Sequence, residues 1–419
     1  MSNAEQKRLK ILIGCYSCCP NRGSEPGMGW NFVSNIAKHH DVHVLVNQFE
    51  FEEPLTQYCK DFPEEVKHIT FHFIPSAYHE TIRKIWPPSY YWFYRAWQKR
   101  AYRYAVKLDK IENFDLVHQV NLAGYREPGY LWKLGKPYII GPLGGFTQTA
   151  WRLLPGLGIH GAIFFAIRNI LNAIQKRFGY AAKTLPKQAN SIIVSDPEAV
   201  QDVKKYWKRD AILMREVGVQ STQLAETPSP CQRPSNKPLR ICWAGLLVPL
   251  KALQFLLKAI PLCHGDVEVV VLGAGVMERK WKNLAHNLGI SEKVHFRGQV
   301  SHAQVLETMR EAHLLCVSSI KEGGTGTVVL EALQNGLPIV CLDHCGFSSV
   351  VNEHCGIKIP ITNSSDISKN LAKALDFLYH NEEKRFQMAQ QAIQESKKYT
   401  WEAKMEVLND IYHQCLCDD

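Results

Sequence analysis

The sequence predicts an α/β protein of two doubly wound domains of similar size facing a cleft. Three observations predict it. Short, fully apolar runs alternate with helical patterns along the whole chain, the signature of parallel sheets covered on both faces. A weakly apolar stretch from Glu226 to Lys237, carrying Pro228, Pro230 and Pro234, parts one set of runs from the other and reads as a linker. Late in the chain, Lys321-Glu322-Gly323-Gly324-Thr325-Gly326-Thr327-Val328-Val329-Leu330-Glu331-Ala332-Leu333 sets three glycines and two threonines between a strand-like run and a helix.

The first set of runs is Lys10–Gly14, Val42–Val46, Ile69–Phe73, Leu116–His118, Tyr138–Ile140 and Ile192–Val194. The second is Leu239–Trp243, Val267–Leu272, Val294–Phe296, Leu314–Val317 and Ile339–Cys341. Between Leu314–Val317 and the helix carrying Val329, Ala332 and Leu333 inward, the glycine stretch gathers backbone N–H groups at a positive helix end, which suits phosphate. It is not a P-loop, because no Gly-Lys-Ser/Thr closes it. It is not the dinucleotide fingerprint, because the glycine spacing differs. Glu331, one turn into that helix, is placed either to hold sugar hydroxyls or simply to favour the helix start. Ligands of doubly wound sheets bind at the carboxyl ends of the strands.

Composition narrows the class. Of 419 residues, 46% are apolar and 21% charged, so full cores can form. No signal-peptide apolar region opens the chain, and no run of 18 apolar residues occurs. Thirteen cysteines show no framework, and Cys15, Cys18 and Cys19 have no second ligand pair at zinc spacing. Reduced thiols of a cytoplasmic protein, with no metal, are expected.

Net charge is +9, and its placement carries more than its size. Thr81 to Leu108 has seven Lys or Arg, nine aromatics and no acid. Pro128 to Ser195 has eight Lys or Arg and no acid, with amphipathic helix patterns at 150–154 and 163–171. Aromatic rings beside cations suit an anionic membrane surface. Plain core packing is the competing account. No nucleic-acid motif accompanies the charge, so nucleic acid is not an expected partner.

Several ordered motifs resemble family 4 glycosyltransferases of the GT-B fold, with two Rossmann-like domains around a nucleotide-sugar cleft. They are the glycine loop Arg22-Gly23-Ser24-Glu25-Pro26-Gly27-Met28-Gly29-Trp30, Asp115-Leu116-Val117-His118, Gly141-Pro142-Leu143-Gly144-Gly145, Trp243 to Lys251, Glu322 to Leu333 with Gly336-Leu337-Pro338, and Tyr399-Thr400-Trp401-Glu402 to Tyr412. The resemblance covers nearly the whole chain. It implies an acceptor domain over residues 1–230, a nucleotide-sugar donor domain over 231–396, and a last helix, about 397–419, crossing back to the first domain.

The resemblance also implies roles. Lys251 meets the donor diphosphate, while backbone donors near Gly27, Gly29, Gly323, Gly324, Thr325 and Thr327 complete the donor site. Glu331 holds the ribose. Glu322 and His118 contact the transferred sugar. Glu25, Arg126 and Glu127 lie in loops on the same edge, on the acceptor side. Leu246 stands where family members usually carry an arginine, with Arg22 or Arg215 as replacement cations. Glu322 and Glu331 stand nine positions apart, against eight in the family. Activity would retain anomeric configuration. It would use a UDP- or GDP-linked sugar with no cofactor and no metal, since the chain has no Asp-x-Asp pair. The acceptor would be a glycan, lipid-linked and presented at the inner face of a bacterial cell membrane, in surface polysaccharide or lipopolysaccharide synthesis. Two other readings compete: a GT-B epimerase or hydrolase acting on nucleotide sugars, and an inactive binding or scaffold homologue.

Overall fold

The computed structural model describes residues 7–20, 22–76, 82, 85–86, 89–122, 124–220, 230–322 and 324–417. Residues 226–229 of the expected linker, Pro228 among them, lie outside these, as does Gly323. The chain divides into two compact units. The first comprises residues up to Phe146, Ala173–Glu216 and the chain from Lys404 onward. The second comprises Thr147–Asn172 and Val217–Ala403.

The first unit is built on seven parallel strands in the order β3-β2-β1-β4-β5-β6-β7. These are β1 (Lys10–Gly14), β2 (Asp41–Asn47), β3 (Ile69–Ile74), β4 (Leu116–Gln119), β5 (Tyr138–Leu143), β6 (Ser191–Val194) and β7 (Ile212–Leu213). Six match the apolar runs; two-residue β7 is too short to leave a pattern. The order reverses between β1 and β4, which register Ile13 against His118. This is the switch point where such sheets open a crevice. Tyr94, Trp97, Ala101 and Ala105 of the helix Tyr90–Glu112 are buried at helical spacing. Tyr16 meets Trp97 edge-on with ring centroids 4.9 Å apart. That part of the aromatic segment is therefore core, while Trp86, Tyr91 and Trp92 are exposed.

The second unit carries six parallel strands in the order β10-β9-β8-β11-β12-β13. They are β8 (Leu239–Ala244), β9 (Val267–Leu272), β10 (Val294–Gly298), β11 (Leu314–Val317), β12 (Ile339–Leu342) and β13 (Gly356–Ile359). The apolar runs mark all but β13, whose Gly356-Ile357-Lys358-Ile359 alternates as an edge strand does. Its core holds Trp243, Trp281, Leu256 and Leu314.

Two expected domain boundaries need correction. Thr147–Asn172 belongs to the second unit rather than the first, because Leu153 is buried in that unit's core and Ala150 and Leu157 pack against it. The division also falls at Val217 rather than after residue 230. Val219 bridges Thr400, and a Cβ on Gly218 would lie 3.0 Å from the Trp401 ring, both within the second unit. The final helix spans Trp401–Cys417, and from Lys404 onward it belongs to the first unit.

Candidate active site

In the second unit, the loops that follow β8 and β11 meet. After β8 the chain turns through a 3-10 segment, Pro249–Lys251, and the Ser318 hydroxyl just past β11 donates to the Lys251 carbonyl at 2.8 Å. Trp243 Nε1 donates in turn to Ser318 Oγ at 3.0 Å, and the Ile320 N–H to the Leu250 carbonyl at 2.9 Å. With its backbone fixed, Lys251 places Nζ 2.9 and 2.7 Å from the two Glu322 carboxylate oxygens. Both side chains are about four-fifths buried, at 21% and 22% exposure, so the pair keeps more strength than a surface bridge would. The Glu322 N–H points to Cys345 Sγ at 3.2 Å.

Gly324 and Thr325 are buried against Gly346, where a Cβ would lie 2.7 Å from the Gly324 carbonyl. Only a glycine at 346 allows that approach. Gly326, at φ +77°, then turns the chain into the helix Thr327–Gln334, whose first residue, Thr327, is exposed. Glu331, one turn on, meets His302 Nε2 at 2.9 Å, and this carboxylate raises the His302 pKa. The motifs did not single out His302. The signal for it was the Ser301-x-x-Gln304 capping box just past β10, which fixes His302 as the first residue of its helix. Leu246, where the family carries an arginine, is exposed.

The first unit places its motif residues differently. His118 was expected to touch the transferred sugar, but it is fully buried. Its Nδ1 is 2.7 Å from the Tyr412 hydroxyl, and its Nε2 is 2.9 Å from the Gly141 carbonyl. The carbonyl can only accept, so Nε2 carries the proton and Nδ1 accepts from Tyr412. Burial lowers its pKa to about 4, opposed by the bond to Gly141. His118 is a neutral strut that ties the last helix to β4.

Gly27 and Gly29 also need correction. They lie inside the helix Ser24–Ala37 rather than in an open loop. A Cβ would come within 2.2 Å of the Arg22 carbonyl at Gly27 and of the Ser17 carbonyl at Gly29. Their close approach is to the protein's own backbone.

Glu25, on the first turn of that helix, has its pKa raised by desolvation and by Glu216, against a lowering bond from the Leu122 backbone. Arg22 lies 5.6 Å from the Phe51 ring centroid, and Arg215 is buried, donating to the Ser195 carbonyl at 3.2 Å. Glu127 is 5% exposed and gripped by Arg95, whose Nε lies 2.9 and 2.8 Å from its two oxygens. Arg126 lies 4.3 Å over the Tyr125 ring and donates from Nε to Gln175 Oε1 at 2.7 Å.

The helix Gly158–Phe178 is inside out. Ile159, Ile163, Phe164, Ile167, Ile170, Leu171, Ile174 and Phe178 are all at least half exposed and recur at helical spacing. Its buried positions are instead polar: Asn169 exchanges hydrogen bonds with the Thr149 backbone at 3.1 and 2.8 Å, and Lys176 pairs with Asp202. Among the described residues no helix is long and apolar enough to cross a membrane, and none of the 13 cysteines is in a disulfide.

Comparison with known proteins bears on this arrangement. Residues 230–395 match the family of glycosyl transferases group 1. Similar curated proteins include the phosphatidyl-myo-inositol mannosyltransferase of Mycobacterium leprae, 26% identical over 51% of this chain and 58% of that protein. A D-inositol 3-phosphate glycosyltransferase of Corynebacterium glutamicum is 22% identical over 43% of this chain and 44% of its own length. The chain thus spans about half the length of the curated relatives it matches. In three dimensions it is similar to the lipopolysaccharide outer core galactosyltransferase WaaB in its apo form, with a TM-score of 0.66 and 13% identity over 97% of this chain and 99% of that one. It is also similar to Anabaena HepE in complex with UDP, with a TM-score of 0.62 and 13% identity over 97% and 100%. At such identities the structural likeness shows the fold, which is GT-B. Residues 230–395 thus resemble the glycosyl transferases group 1, within a chain whose fold is GT-B.

Proposed function

We propose that this protein is a retaining glycosyltransferase. It moves a sugar from a UDP- or GDP-linked donor to a lipid-linked glycan acceptor, in the synthesis of a surface polysaccharide or lipopolysaccharide. The observation that carries this reading is the Lys251–Glu322 pair, held between the β8 and β11 loops with Glu331 one helical turn beyond the glycines. Transfer needs negative charge to be stabilised on the departing diphosphate, and a fixed ammonium in a partly dry loop does so without reorganisation. Recruiting Lys251 to the diphosphate loosens its hold on Glu322, whose carboxylate is then available to the sugar hydroxyls. Glu331 and His302 flank the ribose. The acceptor hydroxyl attacks from the face the diphosphate leaves, and a phosphate oxygen takes its proton, so configuration is retained without a covalent enzyme intermediate. Lys251 with backbone N–H groups carries the charge that a metal carries in other transferases, hence no metal requirement.

The inside-out helix supports a membrane address at the cytoplasmic face. Its aliphatic side faces outward from an acid-free region carrying eight Lys or Arg, the pattern of a helix lying in an anionic interface. Product analysis with a panel of UDP- and GDP-sugars, with and without EDTA, tests the chemistry. Retained-anomer product at equal rates is expected. Dependence on added manganese would overturn the metal-free reading, and free monosaccharide as the main product would favour a hydrolase. Flotation with anionic liposomes should recover the protein. Ile163→Ser with Ile167→Ser should leave it in the soluble fraction; unchanged recovery would remove the membrane role of this helix.

A further inference from the structure

A cavity of about 830 Å³ lies in the second unit, beside the helices Gln254–Ala259 and Glu278–Asn287. Each helix buries apolar residues in that unit's core, Phe255 and Leu256 on one and Trp281 and Ala285 on the other, which leaves polar side chains to line the hollow. Three of these are cations: Lys258, Arg279 and Lys280. No carboxylate lines the cavity, and among the described residues none pairs with any of the three. Glu278, next to Arg279 in the chain, is held by Lys282 at 2.7 Å, and neither of that pair lines the cavity. Trp281 Nε1 donates to Gln254 Oε1 at 3.1 Å. An indole N–H can only donate, so the Gln254 carboxamide is fixed with its NH2 group left to donate. Three positive charges and an oriented donor, with no acid to compensate them, suit an anion.

The edges of the cavity say which anion. Val276 lines it and is 83% exposed. Leu157 and Gly158 line it too, and Gly158 opens the helix whose aliphatic side faces outward, beginning with Ile159 at 78% exposure. An anion carrying hydrocarbon covers these edges while its charge meets the cations. Inorganic phosphate leaves them bare, and a sugar phosphate sets hydroxyls against them. Lys251, Glu322 and Glu331 take no part in the wall, so the cavity is separate from the proposed donor site.

We infer that this cavity holds the phosphorylated headgroup of an anionic glycerophospholipid, with its acyl chains over Val276 and Ile159. The lipid is a constituent of the membrane surface and not the acceptor. The inference rests on the membrane address proposed above and deepens it: the outward helix supplies apolar burial, and the second unit adds a site that selects the headgroup.

The test uses the whole chain and short-chain lipids below their micelle concentration, read by isothermal titration calorimetry. Dihexanoyl phosphatidylglycerol is expected to bind. Dihexanoyl phosphatidylcholine, whose quaternary ammonium the three cations repel, should bind about tenfold more weakly. Lys258→Gln with Arg279→Gln should weaken phosphatidylglycerol binding about thirtyfold, the size expected for two cations at an anionic headgroup. Both side chains are exposed, so the fold is kept. No binding, equal binding of the two lipids, or an unchanged double variant would overturn the inference. So would inorganic phosphate binding as tightly as the lipid, which would make this a site for a soluble anion. Displacement of the lipid by UDP would overturn it as well, by making the cavity part of the donor site. Ile163→Ser with Ile167→Ser should bind the monomeric lipid as the unaltered protein does. Failure of the unaltered protein to float with liposomes, beside intact binding of the monomeric lipid, would count against the membrane helix and not against the cavity.

Discussion

The loops after β8 and β11 in the second unit and the corresponding loops of the first are built on the same kind of sheet, yet they treat their polar residues in opposite ways. Lys251, Glu322 and Glu331 keep about a fifth of their side-chain surface and pair with one another or with His302. They are held firmly but remain able to exchange one partner for another. His118 has lost all of its surface and has a protein partner on each nitrogen. The comparison teaches that a motif residue at a strand's carboxyl end is available for chemistry only if no distant part of the chain arrives to satisfy it.

The sharpest way to break this contrast is Lys251→Ala. Loss of a fixed charge opposite the departing diphosphate should cost about 3 kcal/mol of transition-state stabilisation, on the order of a hundredfold or more in kcat. The fold should be unaffected, because the pair is partly exposed. Steady-state kinetics on the folded variant decides it, and full turnover would return Lys251 to the rank of surface lysine.

Next in size is an acid effect from the first unit. A histidine titrates near 6.5 in the unfolded chain, while burial holds His118 to about 4. The folded state favours the neutral ring, so the contribution of His118 is fully present above pH 6.5. It is lost progressively as pH falls from 6.5 towards 4, by about 3 kcal/mol in total. Denaturant midpoints measured across that window should fall steeply in the parent chain and less steeply in His118→Gln. Parallel slopes would mean that other groups dominate. His40, which meets Asn409 of the last helix at 2.9 Å, is also lowered by burial and adds in the same direction.

Tyr412→Phe should have the smallest effect. It removes one donor and leaves the buried His118 Nδ1 without its proton source, at a cost of about 2 kcal/mol. The loss should appear in stability while KM for the nucleotide sugar stays constant. A selective change in donor KM would restore His118 to the donor site.

Much of this was legible in the sequence. Strands buried on both faces declare themselves through unbroken apolar runs, and eleven such runs fall on observed strands. β7 and β13 escaped because two residues, or four interrupted by Lys358, make no run. The fate of Gly27 and Gly29 was not legible: a missing Cβ reads the same whether a ligand or the Ser17 carbonyl approaches. The Arg95–Glu127 grip joins residues 32 positions apart, and no local pattern announces it. The aromatic segment mixed two signals. Tyr94 and Trp97 follow the inward stripe of their helix, whereas Trp92 points out of it. Composition alone counts them together.

The bond between His118 and Tyr412 has a consequence for how the protein comes into being. These residues stand 294 positions apart, and the first unit draws on three separate stretches of chain, the last of them from Lys404 onward. During synthesis β1 to β7 emerge before any of the second unit's strands, yet His118 of β4 must wait for the last helix to bring the Tyr412 hydroxyl. The domain begun first is therefore finished last. A chain stopping short of Tyr412 holds every strand of both sheets yet leaves His118 Nδ1 without its donor.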